Sequence, residues 1–457
     1  MTAAEPDVLT LLSHNLKGQR AARITDFLAA MINSGQVAAG TRLPTVRAVA
    51  GALGISPGSV AAAWVDLRDQ GLIETHRRGG SVVADKRTFS LSALSASDVW
   101  TTMDLAYGIP DPLLQPDLAP AFAAVLGTTR PDRSRREALS ASLLEAVEAD
   151  WPFQAQAFLP VGGHNEGTIL AIEAAAPRDS LVAIESPTSP RILSILGLLG
   201  LRPLPIQCDA SGPLPEALEA ALVQRPVAFI FQPRAQIPLG HSVSKERLAM
   251  LADVLARSEH PVNVVEDDHM GPIALSEDLS LGACYSGPIL HVRGYCKAYG
   301  VELRTCVLGG SADLVNRVQQ LRAHGVSATS QILQDALAWL IRDRHTRSVV
   351  ECARHRYAER RQMLARLLAR HGIDVRSSDG MLLCIPVTDE TSAIVNFAKS
   401  GLAVGPGSKC FAAAPDTGAS DFVRIATSLL PDNAGQLEHL AAIMAKALAS
   451  PFQYELD

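Results

Sequence analysis

The sequence predicts a small, mostly helical N-terminal domain followed by a large α/β domain whose sheet is covered by helices on both faces. Near the N-terminus, apolar residues recur at helical spacing and are separated by helix start and stop signals. Further along, short continuous apolar runs alternate with helical stretches, which is typical of strands buried on both faces of a sheet. The 457 residues exceed the usual size of one domain, so at least two domains are expected.

The composition is that of a folded protein. Charged residues make up 19% of the chain and hydrophobic residues 47%, so disorder is not expected. No apolar run approaches the roughly 20 residues of a membrane span, and the N-terminus lacks a basic start followed by an apolar core. We therefore expect a cytoplasmic protein without a membrane segment. The seven cysteines include no CxxC pair, which indicates neither a disulfide framework nor a zinc site.

The N-terminal domain is predicted to contain three helices and a hairpin. The first helix buries apolar residues at helical spacing, namely Ile24, Leu28, Met31 and Ile32. A second helix begins near Thr45 and ends at Gly54. Ser56 can cap a third helix with Pro57 at its first position, where the missing N–H of proline costs nothing. The segments LIETH and SVVA are then predicted strands, joined by a basic, glycine-containing turn at residues 77–80.

This order of helices, turn and hairpin favours DNA binding. It places one helix in the major groove and a basic hairpin, the wing, on the phosphates. Residues 12 to 85 contain eight basic side chains against five acidic ones, although the whole chain has a net charge of −6. That net charge disfavours a protein that coats nucleic acid but leaves room for one small basic module. The alternative is a helical cap that carries a solvated, charged face.

The predicted helices and wing contain a specific motif. It consists of GxxLPTxRxxAxxLGxSPxSV, then LxxxGLI, then the basic turn. The motif resembles the winged helix-turn-helix of GntR-type bacterial repressors, which implies that residues 12–84 bind a double-stranded DNA operator. The residues that the resemblance implies at the DNA are Thr45, Arg47, Ser56 and Ser59 on the helices and Arg77 and Gly79 on the wing.

The large domain is predicted to span residues 105–457. The Ser- and Thr-rich residues 85–104 before it are predicted to be a linker. Strands are predicted at residues 181–186, 227–233, 262–268, 289–292 and 305–310. In a sheet of this kind, ligands bind at the strand ends.

Chemical groups suited to one cofactor follow these predicted strands. A turn that opens a helix offers backbone N–H groups to a phosphate through Gly163, His164 and Asn165. Asp267 ends one strand, Lys297 follows the next, and Arg304 lies seven positions beyond it. Pyridoxal 5'-phosphate needs an amine, a carboxylate for its ring nitrogen, and a helix start with an arginine for its phosphate. The alternative for Lys297 alone is a solvated surface charge, the commoner role of lysine.

The large domain also carries a second set of motifs. These are PRAQxPxG at residues 233–240, EDD at 266–268, CKxYGxxLR at 296–304, GLAVxPGS at 401–408 and VRIA at 423–426. They resemble the fold-type I, pyridoxal phosphate-dependent aminotransferase body over roughly residues 105–450. A GntR-type domain fused to such a body is the arrangement of the MocR type of transcription regulator.

The resemblance implies a role for each matching residue. Lys297 would be the Schiff-base lysine, Asp267 the partner of the ring nitrogen and Arg304 the phosphate arginine. Arg424 would bind the carboxylate of an amino-acid-like effector, a pairing that arginine suits. Four positions depart from the family pattern: Ile237 replaces asparagine, His269 tyrosine, Cys296 serine and Ser189 an aromatic residue. His269 can still donate to the ring oxygen, whereas the thiol of Cys296 is a weak donor at the cofactor.

Three functions are consistent with the sequence. The first is a homodimeric regulator that binds DNA and senses an amino compound, or pyridoxal phosphate itself, through the aminotransferase-like domain. The second is a working aminotransferase whose N-terminal module is an accessory, with Lys297 as the base of a proton transfer. The third is a scaffold that has lost the cofactor. The fusion favours a regulator that is not an enzyme, with a residual half-reaction still open.

Overall fold

The computed structural model describes most of the chain. The described residues are 8–16, 21–33, 37–38, 40–69, 72–76, 80–83, 103–128, 139–323, 325, 328–375, 378–412 and 421–449. Two compact units are present. Unit 1 comprises Met1–Asp104, Thr391–Gly405 and Ala447–Asp457, and unit 2 comprises Leu105–Glu390 and Pro406–Lys446.

Sixteen α-helices and fifteen strands occur among the described residues. The helices are α1 Val8–Leu16, α2 Ala21–Asn33, α3 Val46–Leu53, α4 Pro57–Asp69, α5 Ala119–Thr128, α6 Ala141–Glu148, α7 His164–Ala175, α8 Pro190–Leu199, α9 Pro215–Leu222, α10 Lys245–Ala256, α11 Cys296–Tyr299, α12 Ala312–Arg322, α13 Gln331–Arg342, α14 Arg344–Arg370, α15 Glu390–Lys399 and α16 Ala434–Ala449. The strands are β1 Ile73–His76, β2 Gly80–Val83, β3 Met103–Asp104, β4 Ala157–Val161, β5 Leu181–Ser186, β6 Arg202–Asp209, β7 Gly212–Pro213, β8 Ala228–Phe231, β9 Asn263–Asp268, β10 Ile289–Gly294, β11 Cys306–Gly310, β12 Leu382–Pro386, β13 Leu402–Ala403, β14 Gly405–Pro406 and β15 Phe422–Ala426.

The predicted helix signals of the N-terminal module are confirmed. The Thr45 hydroxyl caps α3 by accepting the Ala48 N–H at 3.2 Å. Gly54 ends α3 in the left-handed region at φ 70°. The Ser56 hydroxyl then caps α4 by accepting the Ser59 N–H at 3.1 Å. Strands β1 and β2 form the predicted antiparallel hairpin.

Unit 1 also contains elements that the sequence did not predict. Helix α1 precedes the three predicted helices, and its residue Leu12 is fully buried in their shared apolar core. Val395 of α15 is buried in the same core. Strand β3 pairs in parallel with β13. The predicted linker is therefore in part a strand, at Met103–Asp104, while its residues 85–102 lie outside the described residues.

Unit 2 is built on an eight-stranded sheet. Its strand order is β4-β11-β10-β9-β8-β5-β6-β7. The pairs from β10 to β6 run parallel, and the pairs that involve β4, β11 and β7 run antiparallel. One apolar cluster takes in α7, α8 and α12 with one face of the sheet, and another takes in α9 and α10 with alternate residues of the same strands. Burial on both faces explains the continuous apolar runs.

Strand register brings the candidate residues to one edge of this sheet. Strands β9 and β10 run parallel with Val292 opposite Asp267, so both end on the same side. Asp267 closes β9, and Lys297 follows the end of β10 in the short helix α11. Beyond the large sheet, β12 pairs antiparallel with β15 and places Cys384 opposite Arg424. None of the described helices is both long enough and apolar enough to cross a membrane.

Two exposed glycines of the N-terminal module test the assignment of the α3 cap. A Cβ at Gly51 or at Gly54 would meet no other atom within 4 Å, and only Gly54 has a positive φ. Gly54→Ala should lower the free energy of opening of α3 by about 1 kcal/mol, because a Cβ strains left-handed backbone. Gly51→Ala should raise it by about 0.5–1 kcal/mol, because alanine favours a helix interior. Hydrogen exchange of the α3 amides in the full chain measures both, and effects of the same sign would contradict the assignment.

Candidate functional site

The carboxylate of Asp267 is buried at the end of β9 and surrounded by donors. Its Oδ1 accepts from the Thr168 hydroxyl at 2.9 Å and lies 2.7 Å from His164 Nε2. Its Oδ2 accepts from Gln232 Nε2 at 2.7 Å. Burial alone would raise the pKa of Asp267, but the charge and hydrogen bond of His164 outweigh it and hold this pKa well below its usual range. Asp267 is therefore an anion at neutral pH.

The amine of Lys297 lies in the same site. Its Nζ donates to the backbone oxygen of His269 at 3.1 Å, and the side chain is partly buried. Burial, followed by the positive charge of Arg191, lowers the pKa of Lys297 from 10.5 to about 7, although Asp267 opposes the shift. A large fraction of the amine is thus neutral at physiological pH, the state in which an amine is a nucleophile.

The imidazole of His269 is oriented by a neighbouring amide. Gln232 Oε1 accepts the Ile237 N–H at 2.8 Å, which turns its NH₂ group toward Asp267 and His269. That NH₂ lies 3.0 Å from His269 Nδ1. Burial, followed by the charge of Lys297, holds the pKa of His269 well below its usual range, so the ring is neutral. With Nδ1 accepting, the remaining proton is on Nε2, which leaves His269 a donor.

The turn before α7 presents backbone N–H groups. Its N-cap residue, Gly163, has a φ of 126° and no side chain with which to cap the helix. The Gly162 N–H donates to a Glu166 carboxylate oxygen at 2.6 Å, and Arg322 pairs with the other oxygen of Glu166 at 3.2 Å. Asn165, the second residue of α7, accepts a hydrogen bond from Arg191. These contacts fix the first turn of α7. Helix N-termini of this kind bind anions through their backbone N–H groups.

Three further residues predicted for this site make fewer contacts with it. Arg304 ends the 3₁₀ helix Val301–Leu303 at φ 44° with its side chain exposed. Cys296, beside Lys297, is partly buried, and its Sγ lies 3.9 Å from the Thr305 oxygen. Arg424 is partly buried on β15 and donates to the Pro406 oxygen at 3.2 Å.

A buried ion network lies directly behind the site. Asp268 accepts two hydrogen bonds from Arg234, at 2.9 and 2.8 Å, and one from Arg293 at 3.1 Å. Arg293 also pairs with Asp278 at 2.5 Å and lies over the Trp151 ring at 4.7 Å from its centroid. Burial alone would raise the pKa of Asp268, but Arg234 and its other partners lower it well below the usual range.

The same network includes a buried histidine, His291. Burial alone would lower the pKa of His291, but hydrogen bonds to Asp268 and Glu266 outweigh it and raise this pKa. Asp268, Asp278 and His291 lie close enough together to hold a metal ion. Guanidinium groups already bind both aspartates, so we assign these residues to an ion network and to no metal.

Sequence reasoning did not find the side-chain roles of several site residues. His164 was predicted to contribute its backbone, whereas its ring contacts Asp267. Thr168 lies one helical turn beyond His164, a spacing that could have been noticed. Gln232 and Arg191 carry no sequence signal of their own, because they reach the site only through the fold.

Of the six residues predicted to contact DNA, four lie among the described residues and two do not. Thr45 and Ser56 use their hydroxyls as helix caps, and the Ser56 and Ser59 hydroxyls lie 2.8 Å apart. Arg47, at the second position of α3, has an exposed side chain. The predicted wing residues, Arg77 and Gly79, lie outside the described residues.

Comparison with known proteins identifies both parts of the chain. The family described as "Aminotransferase class I and II" matches residues 124–441, and "Bacterial regulatory proteins, gntR family" matches residues 20–83. The chain is 32% identical over 443 residues to the vitamin B6 salvage pathway transcriptional repressor PtsJ of Salmonella typhimurium, covering 95% of this chain and 99% of that protein. It is 24% identical over 259 residues to the pyridoxine biosynthesis regulator PdxR of Corynebacterium glutamicum, covering 54% of this chain and 55% of that protein.

Solved structures agree on the fold of unit 2. The α-aminoadipate aminotransferase LysN of Thermus thermophilus, complexed with N-(5'-phosphopyridoxyl)-L-leucine, has a TM-score of 0.66 at 20% identity over 76% of this chain and 92% of that chain. An aspartate aminotransferase of the same organism has a TM-score of 0.65 at 19% identity over 86% and 96%. The predicted combination of folds is confirmed, and the chain belongs to the aminotransferase class I and II family as a MocR-type transcription regulator with a GntR DNA-binding domain.

Proposed function

We propose that this regulator binds pyridoxal 5'-phosphate at Lys297 and that occupancy of the site controls DNA binding by the N-terminal module. The observation that carries the proposal is the pairing, in one site, of a lysine whose pKa is lowered to about 7 with a buried anionic carboxylate, Asp267. When bound, pyridoxal phosphate supplies an aldehyde and an electron-withdrawing ring. An amine that is neutral at physiological pH and a carboxylate that stays ionised are the groups that hold it.

Each residue of the site has a proposed task. Lys297 would hold the cofactor through its amine, and Asp267 would keep a proton on the ring nitrogen. His269 would donate its Nε2 proton to the ring oxygen, in place of the tyrosine of the family pattern. The phosphate would lie at the start of α7, with the backbone of Gly163, His164 and Asn165 and the side chains of Cys296 and Arg304. Arg424 would bind the carboxylate of an amino-acid-like effector.

The departure at Ile237 has a structural counterpart. Its side chain cannot donate to the ring oxygen, but its backbone N–H fixes the orientation of Gln232. Gln232 in turn contacts both Asp267 and His269. The hydrogen bonds that asparagine and tyrosine would make directly are thus replaced by an oriented histidine, and the site fits the cofactor with an altered set of donors.

We propose that the protein acts as a homodimer on a double-stranded DNA operator. We place it in the cytoplasm, because the chromosome of a bacterium lies there. Unit 2 exposes large apolar side chains close together in sequence, with Tyr107 69%, Ile109 53% and Leu113 91% exposed. We propose that this exposed apolar segment contributes to the dimer face. A two-fold dimer would present two DNA modules to two half-sites.

A working aminotransferase is the second candidate. The observation that favours it is the same Lys297 amine, because a lysine with a pKa near 7 can also act as the base of a proton transfer. Conversion of an amino acid and a keto acid by the purified protein would support this candidate. Binding of pyridoxal phosphate without turnover would favour a sensor.

Lys297→Ala tests the covalent attachment. Wild-type protein mixed with pyridoxal phosphate should develop a visible absorption band that survives removal of free cofactor, and Lys297→Ala should develop none. The matched control is Lys245→Ala, because Lys245 is an exposed lysine of the same unit that pairs with Glu277. A band of equal strength in Lys297→Ala would exclude Lys297 as the attachment point.

The lowered pKa of Lys297 predicts the pH dependence of attachment. Only the neutral amine reacts, so the rate of band formation should increase as the pH rises and should level off above about 7. An ordinary lysine would give an increase that continues toward about 10.4. Stopped-flow absorbance from mildly acidic to strongly basic pH measures the midpoint. A midpoint near the ordinary value would contradict the proposed environment of the amine.

Arg47→Ala tests the DNA interface. Loss of one good base or phosphate contact should weaken binding by about 1–3 kcal/mol, or about 5- to 150-fold. Fluorescence anisotropy at fixed salt, with a duplex selected from a random pool, measures the affinity. Arg257→Ala is the control, because it removes an exposed arginine that pairs with Glu219 on unit 2. Equal effects of the two substitutions would remove Arg47 from the interface.

A further inference from the structure

Arg191 occupies a fixed place at the start of α8. It is the second residue of that helix, after Pro190. The hydroxyl of Ser189 accepts the Arg191 N–H at 3.3 Å and so caps the helix. Ser189, which replaces an aromatic residue of the family pattern, therefore serves as a helix cap. Arg191 is therefore the first residue of α8 with a long, charged side chain.

The guanidinium of Arg191 is directed to the start of α7. It donates to Oδ1 of Asn165, the second residue of that helix. An amide oxygen accepts this bond without neutralising the charge, so Arg191 keeps a full positive charge beside the first turn of α7. The one carboxylate on this turn, Glu166, is paired with Arg322 and with the Gly162 N–H.

The same side chain is bonded to a turn that belongs to the Lys297 site. His164, between Gly163 and Asn165, contacts Asp267, so the turn that holds Arg191 is part of the site. The positive charge of Arg191 is also a leading cause, after burial, of the lowered pKa of Lys297. Arg304, the arginine that the family pattern assigns to the phosphate, and Arg191 both have exposed side chains, so both are open to a ligand.

We propose that Arg191, held by Asn165, binds the phosphate group of the ligand and makes the site select phosphorylated over unphosphorylated pyridoxal. A guanidinium group suits this task because it offers donors in a planar fork that matches phosphate oxygens and stays charged at any physiological pH. This inference rests on the proposed function, since it assumes a pyridoxal ligand at Lys297. It adds Arg191 to Arg304 as a second cation at the phosphate. It also assigns the site a preference for pyridoxal phosphate over pyridoxal.

Arg191→Ala, measured against two ligands, tests the inference. The affinity for pyridoxal phosphate should fall about 10- to 100-fold, the usual effect of losing hydrogen bonds to a charged group. The affinity for pyridoxal, which lacks the phosphate, should fall only as far as the raised pKa of Lys297 weakens both ligands alike, so the ratio of the two affinities should still fall several-fold or more. Absorbance titration of the full chain measures both affinities. Arg191→Lys should recover part of the preference, because it restores the charge without the fork.

Arg202→Ala is the matched control, because Arg202 is an exposed arginine whose Nε donates to the Asp179 oxygen. It should leave both affinities as in the wild type. An equal loss for both ligands in Arg191→Ala would overturn the inference, and so would an unchanged ratio of the two affinities. If the wild-type protein binds neither ligand, the proposed function itself fails, and this outcome is distinct from failure of the Arg191 assignment.

Discussion

The buried carboxylate of Asp268 holds together the chain segments that form the site. Arg234 and Arg293 both donate to it, and their guanidinium groups could not be buried without such a partner. Arg293 lies four residues before Lys297, Asp268 follows Asp267, and Arg234 follows Gln232 by two residues. One carboxylate therefore fixes the relative positions of the amine, the ring-nitrogen partner and the amide that orients His269. Removing Asp268 would take from both buried guanidinium groups the carboxylate that they share, which should be strongly destabilising.

The sequence predicted those parts of the fold that depend on local chemistry. The caps at Thr45 and Ser56, the stop at Gly54 and the buried strands follow from backbone preference and apolar pattern, and the structure contains them. Lys297 and Asp267 could be chosen because few residue types perform their chemistry and because parallel strand ends meet at one edge.

What the sequence could not predict depends on contacts between distant segments. Gln232 and Arg191 are ordinary residues until the fold brings them to Asp267 and Asn165. The burial of Val395 with the N-terminal helices is likewise invisible in the sequence, since α15 lies far along the chain from them and shows only an amphipathic pattern. Arg304 shows the same limit, because its motif position predicts a phosphate contact but not the exposure of its side chain.

Control of DNA binding requires that the ligand bind two arrangements of the protein unequally, since equal affinity shifts no equilibrium. The most direct measurement is the affinity of the full-length protein for its duplex, with and without pyridoxal phosphate, in the wild type and in Lys297→Ala. We predict that pyridoxal phosphate changes the wild-type affinity by about five-fold or more and leaves that of Lys297→Ala unchanged. A wild-type affinity that is the same with and without the ligand would contradict a sensor at Lys297.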